Sequence, residues 1–213
     1  MSWRTPLLVF LLATLILAVT ACGGGATATP GTSNSSGAPA DERVLKVAMT
    51  FLDEPPDPYQ AGWLAVPTGL AETLFKLGDT LKPEPWLATG ATQVSPTAWE
   101  ITLREGVKFH NGVAMDAAKV KGSLDLALER RAGTRILLDV NRIEVKDSTT
   151  VVIHTNSANP IMPGLLTNQN IGIADPDTVP ASLEDSAELA AMTGPYKLVS
   201  FTADREMKVV AHT

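Results

Sequence analysis

Apolar and polar positions divide the chain into an apolar start, a polar gap and a long mixed remainder. Leu7–Val19 is apolar apart from Thr14. A run of 13 residues suits the central part of a secretory leader, whereas a membrane-spanning helix needs about 20. Gly23–Ala40 holds only Gly, Ala, Thr, Ser, Pro and Asn, and such a stretch cannot bury enough surface to fold, so it reads as a flexible tether.

In the remainder the pattern predicts a sequence of elements. Val44–Thr50, rich in β-branched and apolar residues, reads as a first strand, and Pro55-Pro56-Asp57-Pro58 as an extended, turn-rich loop. Leu64–Leu74 reads as a buried helix that ends near Leu77-Gly78-Asp79, and Leu81–Leu87 as a proline-constrained connection. Thr92–Val94 and Trp99–Leu103 read as paired strands around Ser95-Pro96-Thr97. Glu105-Gly106 and Asn111-Gly112 are turn signals.

Asp116 then caps a helix over Ala117–Arg130, with Val120, Leu124, Ala127 and Leu128 on one apolar face and Arg130 and Arg131 at its end. Arg142–Lys146 and Thr150–Thr155 form a predicted hairpin across Asp147-Ser148, followed by a Pro- and Asn-rich loop at Asn156–Pro163. Leu183–Ala191 reads as a second helix. Tyr196–Phe201 and Met207–Ala211 read as a hairpin turning at Ala203-Asp204-Arg205. No internal repeat is visible.

The apolar start ends in Val19-Thr20-Ala21-Cys22, where Cys22 is the only cysteine of the chain. This resembles a bacterial lipobox, in which the peptidase cuts before the cysteine and the sulfur takes a diacylglycerol. An ordinary secretory leader with a chance cysteine is the competing reading. The implied organisation is a signal peptide over 1–21, a tether over 22–43 and a folded part from 44 to 213. A solitary thiol forms no internal disulfide, so the fold must rest on its core. The formal net charge is −6, and the chain has no basic cluster. That balance argues against nucleic acid as a partner.

Catalytic patterns are missing from the sequence. His110, His154 and His212 lie far apart, without the HExxH spacing that sets two ligands on one helical face. There is no GxSxG elbow, phosphate loop or dinucleotide fingerprint. No catalytic residue, metal ligand or cofactor is nominated. His110 and His154 read as surface or satisfied polar residues rather than metal ligands.

Two segments carry a family likeness. Leu81-Lys82-Pro83-Glu84-Pro85-Trp86-Leu87-Ala88 is followed by Trp99-Glu100-Ile101-Thr102-Leu103-Arg104-Glu105-Gly106-Val107-Lys108-Phe109-His110-Asn111-Gly112. Together they closely resemble the signature region of family 5 extracellular solute-binding proteins, the peptide and nickel receptors of ABC importers. Ala117–Leu128 resembles the helix that follows in that family. Thr193-Gly194-Pro195-Tyr196-Lys197-Leu198 resembles its later Gly-Thr-Gly-Pro segment, with Met192 replacing the first glycine, and Glu72-Thr73-Leu74 resembles its Glu-Pro-Leu step.

The resemblance implies an α/β fold of the periplasmic-binding-protein type II kind, here as the amino-terminal lobe only. That lobe would be a mixed sheet subdomain with a smaller α/β subdomain inserted over about residues 81–175. It implies capture of a peptide or nickel chelate outside the cytoplasm, delivery to permease and ATPase subunits, and attachment to the membrane through the lipid on Cys22. An extracytoplasmic hydrolase and a surface adhesin are the alternatives from other classes. Family members are much longer and enclose their ligand between two lobes, so residues 41–213 alone are expected to bind feebly and dissolve poorly. By position, the resemblance nominates Phe51, Tyr59, Trp63 and Leu64 for the ligand cleft, and Asn168, Gln169 and Asn170 for a second segment entering it. The competing readings are that Tyr59 and Trp63 cap the core and that Asn168–Asn170 is a solvated turn. Trp86, Trp99 and Phe109 are assigned to core packing.

Overall fold

A computed structural model describes residues 52–180 and 190–212. The expected leader, tether and first strand lie outside these residues, as do Cys22, Phe51 and most of the expected Leu183–Ala191 helix. Ala190 and Ala191 are described and are not helical.

Alternation of apolar and polar residues builds the central sheet. Strands β3 (Ala88–Ser95), β4 (Ala98–Leu103), β5 (Val140–Asp147) and β6 (Thr150–Thr155) pair antiparallel in the order β3-β4-β6-β5. The β4–β6 register sets Trp99 opposite Ile153 and Ile101 opposite Val151, and β5 adds Ile143 beside Ile153. All five side chains are buried. A period of two places their neighbours on the other face. There Lys146 Nζ meets Glu100 Oε1 at 2.7 Å, and Arg142 Nε meets Glu144 Oε1 at 2.7 Å. His154 joins this solvated row through Nε2, 3.0 Å from Glu144 Oε2.

Helix α2 (Ala117–Arg130) covers the inner face of β5 and β6. The Asp116 carboxylate accepts the Lys119 N–H at 2.8 Å, which satisfies one of the donors left free at a helix start. Val120, Ser123, Leu124 and Ala127 are buried, and Leu128 is only partly so. Both hairpins that flank this layer match the alternation in the sequence, as does the β7 (Tyr196–Thr202) and β8 (Glu206–Ala211) pair.

Three regions depart from the pattern. The expected Leu64–Leu74 helix is a single turn, α1 (Gly62–Ala65). Pro67 follows it, and Gly69 turns the chain at φ +73°, which ends helical continuation. Leu70, Ala71 and Leu74 are nevertheless buried, through irregular backbone. The expected connection at Leu81–Leu87 contains a strand, β2 (Pro83–Pro85), paired with β1 (Phe75–Leu77). Its prolines are exposed at an edge, where a missing N–H costs no ladder bond. A short helix, α3 (Ala132–Leu138), follows α2 directly and leaves Ile136 80% exposed, so no apolar face announced it. Trp86 is half-buried, unlike Trp99 and Phe109, because it sits where exposed β2 turns into buried Leu87.

Candidate functional site

The proline loop folds on its own side chains before it reaches α1. Asp57 is buried, and its Oδ1 accepts the N–H groups of Tyr59 and Gln60, each at 2.8 Å. This is the local turn chemistry that aspartate favours. The Asp57 carbonyl then accepts the Ala61 N–H at 3.0 Å and leads into α1.

Tyr59 and Leu64 point into the core and are fully buried, so their side chains present no surface to a ligand. The Tyr59 hydroxyl lies 3.0 Å from Ser123 Oγ, and burial drives its pKa far above the ordinary phenol value. Trp63 is half-buried, with its indole N–H donated to Glu54 Oε1 at 3.0 Å.

The second nominated segment lies against the first. Asn168 Oδ1 accepts the Asn170 N–H at 2.8 Å, which starts the short 3-10 turn Gln169–Ile171. A Cβ on Gly62 would fall 2.0 Å from the Gln169 carbonyl oxygen and 2.8 Å from the Asn170 Cα. Only glycine permits that approach. A Cβ on Gly172 would come within 3.2 Å of the Pro58 side chain, so the two segments touch along their length. Gln169 is exposed at their junction, and Asn168 and Asn170 are partly so. Asn170 Oδ1 is a buried atom with no hydrogen-bond partner among the described residues. Such orphaned acceptors are rare and costly.

The segment continues to Asp175, a buried carboxylate. Burial alone would raise its pKa, but Lys119 Nζ at 2.6 Å and Asn111 Nδ2 at 2.8 Å hold it below the ordinary carboxylate range. Neither Asp57 nor Asp175 was nominated from sequence. Asp57-Pro58 and Asp175-Pro176 both carry a turn signal, but the dipeptide alone does not show that the carboxylate is buried.

His110 is a satisfied polar residue, as its sequence context suggested. Its Nε2 lies 2.9 Å from the Gly194 carbonyl, and its backbone N–H donates to Met192 O at 2.8 Å. The His212 ring meets it edge-on, with centroids 4.9 Å apart. Burial, together with His212 and Lys197, holds the His110 pKa below the ordinary imidazole value. Among the described residues no group of three or more His, Cys, Asp or Glu side chains stands close enough to hold a metal ion.

Comparison with known proteins sets this geometry in context. The chain is 29% identical over 179 residues to the nickel-binding protein NikA of Staphylococcus aureus, covering 84% of this chain and 34% of NikA. It is 29% identical over 177 residues to the glutathione-binding protein GsiB of Salmonella typhimurium, covering 80% and 34%. It therefore spans about a third of the length of these relatives. Among solved structures, the nickel ABC transporter protein of Bacillus halodurans matches 75% of this chain and 33% of that one, at 31% identity and a TM-score of 0.66. The fold is thus that of the periplasmic binding proteins, matched as part of a larger domain. The family model "Bacterial extracellular solute-binding proteins, family 5 Middle" matches residues 82–213, and the chain belongs to that family.

Proposed function

We propose that the whole protein is the substrate-binding component of an ABC importer, and that this chain carries one lobe's side of its ligand cleft, formed by two adjoining walls. The ligand is a nickel chelate or a small peptide, captured outside the cytoplasm and presented to permease and ATPase subunits. The protein binds and releases its ligand without chemical turnover. Residues 44–213 form the first lobe, and residues 81–175 its smaller inserted subdomain.

One coincidence carries this reading. A relative and a solved structure, both nickel proteins, match most of the chain at 29–31% identity. Of the residues nominated for the cleft, Trp63 and Asn168–Asn170 lie along one edge here, where Gly62 packs against the Gln169 backbone. Trp63 offers flat apolar area with a polar handle. The Asn168–Asn170 segment offers amide donors and acceptors, with Gln169 exposed. Tyr59 and Leu64 support this edge from the core.

Calorimetric titration of the protein at its relatives' full length, against nickel(II) with L-histidine, a dipeptide and glutathione, tests the reading. Saturable binding of one of the three supports it. No binding, or turnover of the peptide that a single carboxylate substitution abolishes, overturns it.

The anchor is proposed separately. Cys22, at the end of the apolar leader, takes the lipid that holds the protein to the membrane, and two or more acyl chains make that attachment stable. Metabolic labelling with a fatty acid marks the wild type and not Cys22→Ala; equal labelling of both contradicts it.

A further inference from the structure

We infer that Ser123 is the positioning residue of the candidate cleft, fastening both of its walls to helix α2 through one buried hydroxyl. Resting on the proposed binding role, the inference adds a residue that touches no ligand.

Ser123 occupies a position of α2 where the pattern calls for an apolar side chain. Val120, Leu124 and Ala127, its partners on that face, are all buried, and Ser123 is buried as deeply as they are. Serine is a mediocre helix former, and its hydroxyl needs partners when water is excluded. Here it has two, and neither belongs to the helix. The Tyr59 hydroxyl lies 3.0 Å away, and the Ala174 N–H donates to Ser123 Oγ at 3.1 Å. A hydroxyl has two acceptor lone pairs and one proton, enough to serve both at once.

Those partners sit on the two walls. Tyr59 belongs to the proline loop that ends in Trp63, and Ala174 to the segment that begins with Asn168. Neither wall is part of the main sheet. Each is a single irregular pass, positioned by side-chain ties and a few backbone bonds. Arg131 Nη1 holds the Gln60 carbonyl at 2.8 Å, on the first wall only. Lys119 Nζ holds Asp175, on the second only. Gly122 lets Pro176 approach so closely that a Cβ would stand 2.9 Å from its Cγ. Ser123 alone among these α2 residues holds both walls, and the walls meet at Gly62 and Gln169.

Removing the Ser123 hydroxyl strands a buried N–H and a buried phenol together. The register between the walls, where Gly62 packs against the Gln169 backbone, then loses its common fixed point. The test compares Ser123→Ala, Tyr59→Phe and Leu124→Ala in the whole protein. Leu124 is buried on the same helix face and bonds to neither wall.

Hydrogen exchange, read segment by segment without ligand, is the first measurement. Ser123→Ala is expected to speed exchange at least tenfold in both residues 54–65 and residues 168–175, while β4 and β6 stay protected. Tyr59→Phe, the milder variant, loosens residues 54–65 only. Affinity for nickel(II) with L-histidine, a dipeptide and glutathione is the second. Ser123→Ala weakens binding several-fold beyond Leu124→Ala at a matched loss of Tm. Exchange that rises evenly over the core, or affinity that follows Tm equally in both variants, overturns the inference. If the wild type binds none of the probes, the binding role fails, and the exchange pattern still decides whether Ser123 holds the walls.

Discussion

The layer of β3–β6 with α2 and the two irregular walls beside it use the same amino acids under different rules. In the layer, each residue's surroundings follow from its place in a short repeat. Trp99, Ile101, Val151 and Ile153 point inward because they alternate, and Leu124 because it lies four residues from Val120. In the walls nothing repeats. Asp57 holds its own turn, Gly62 yields to a carbonyl from residue 169, and Tyr59 reaches a serine 64 positions away. The layer provides rigidity, and the walls present polar and aromatic groups that a repeat would have buried or paired. Scaffolds of regular elements carrying functional loops are the general arrangement.

Substitutions can break or sharpen this contrast. The largest effect belongs to the layer, where Leu124→Ala should cost about 2–5 kcal/mol in denaturant unfolding, because it empties a fully buried site. Glu129→Ala, on the exposed side of the same helix, should cost less than about 0.5 kcal/mol. Equal losses would mean that the helix face does not govern stability.

A wall residue comes next. Gly62→Ala forces a methyl into the Gln169 carbonyl and should cost about 1–3 kcal/mol, the usual range for overpacking. Its hydrogen-exchange signature should be confined to residues 54–65 and 168–175. By contrast, Gly133→Ala in α3 meets nothing within 4 Å and should stabilise by about 1 kcal/mol, the helix-propensity difference. If both alanines act alike, close backbone approach is not what Gly62 is for.

The smallest effect concerns pH, at the junction of the β7–β8 hairpin with the rest. Because the folded state holds His110 below its ordinary value, the unfolded chain takes up that proton first, near pH 6.5. The associated stability is therefore complete above about pH 6.5 and is lost as pH falls through that value toward the folded one. Glu72 acts in the opposite sense. Burial raises its carboxyl above the ordinary range, against the pull of Thr193, Arg104 and Trp86. Its contribution is present at low pH and lost as pH rises through the folded value. Melting midpoints between pH 7.5 and 5 should fall less steeply in His110→Gln and more steeply in Glu72→Gln than in the wild type. Slopes unchanged in both would remove these groups from the balance.

Legibility in the sequence follows the same divide. Helix α2 was legible to the residue, since Asp116 caps it and one apolar face runs through it. The β3–β4, β5–β6 and β7–β8 pairs were legible from alternation and turn residues. The apolar residues of Leu64–Leu74 are buried by a folded-back coil and not by a helix, because Pro67 and Gly69 break the chain there. Strand β2 was hidden by Pro83 and Pro85, which an exposed edge tolerates. In the candidate site, the neighbouring positions of Trp63 and Gln169 came through family likeness. The parts played by Ser123 and Asp175 depend on partners distant in sequence, which no local pattern encodes, whereas Asp57 holds a local turn.

The most direct test of the receptor account is a titration of the full-length protein and its Trp63→Ala variant with whichever of nickel(II)–L-histidine, dipeptide or glutathione the wild type binds best. Trp63 is half-buried at the edge, so its removal should leave Tm nearly unchanged and weaken binding about tenfold or more, a loss of about 1.4 kcal/mol. The same dissociation constant in both proteins would place the ligand elsewhere and contradict the account.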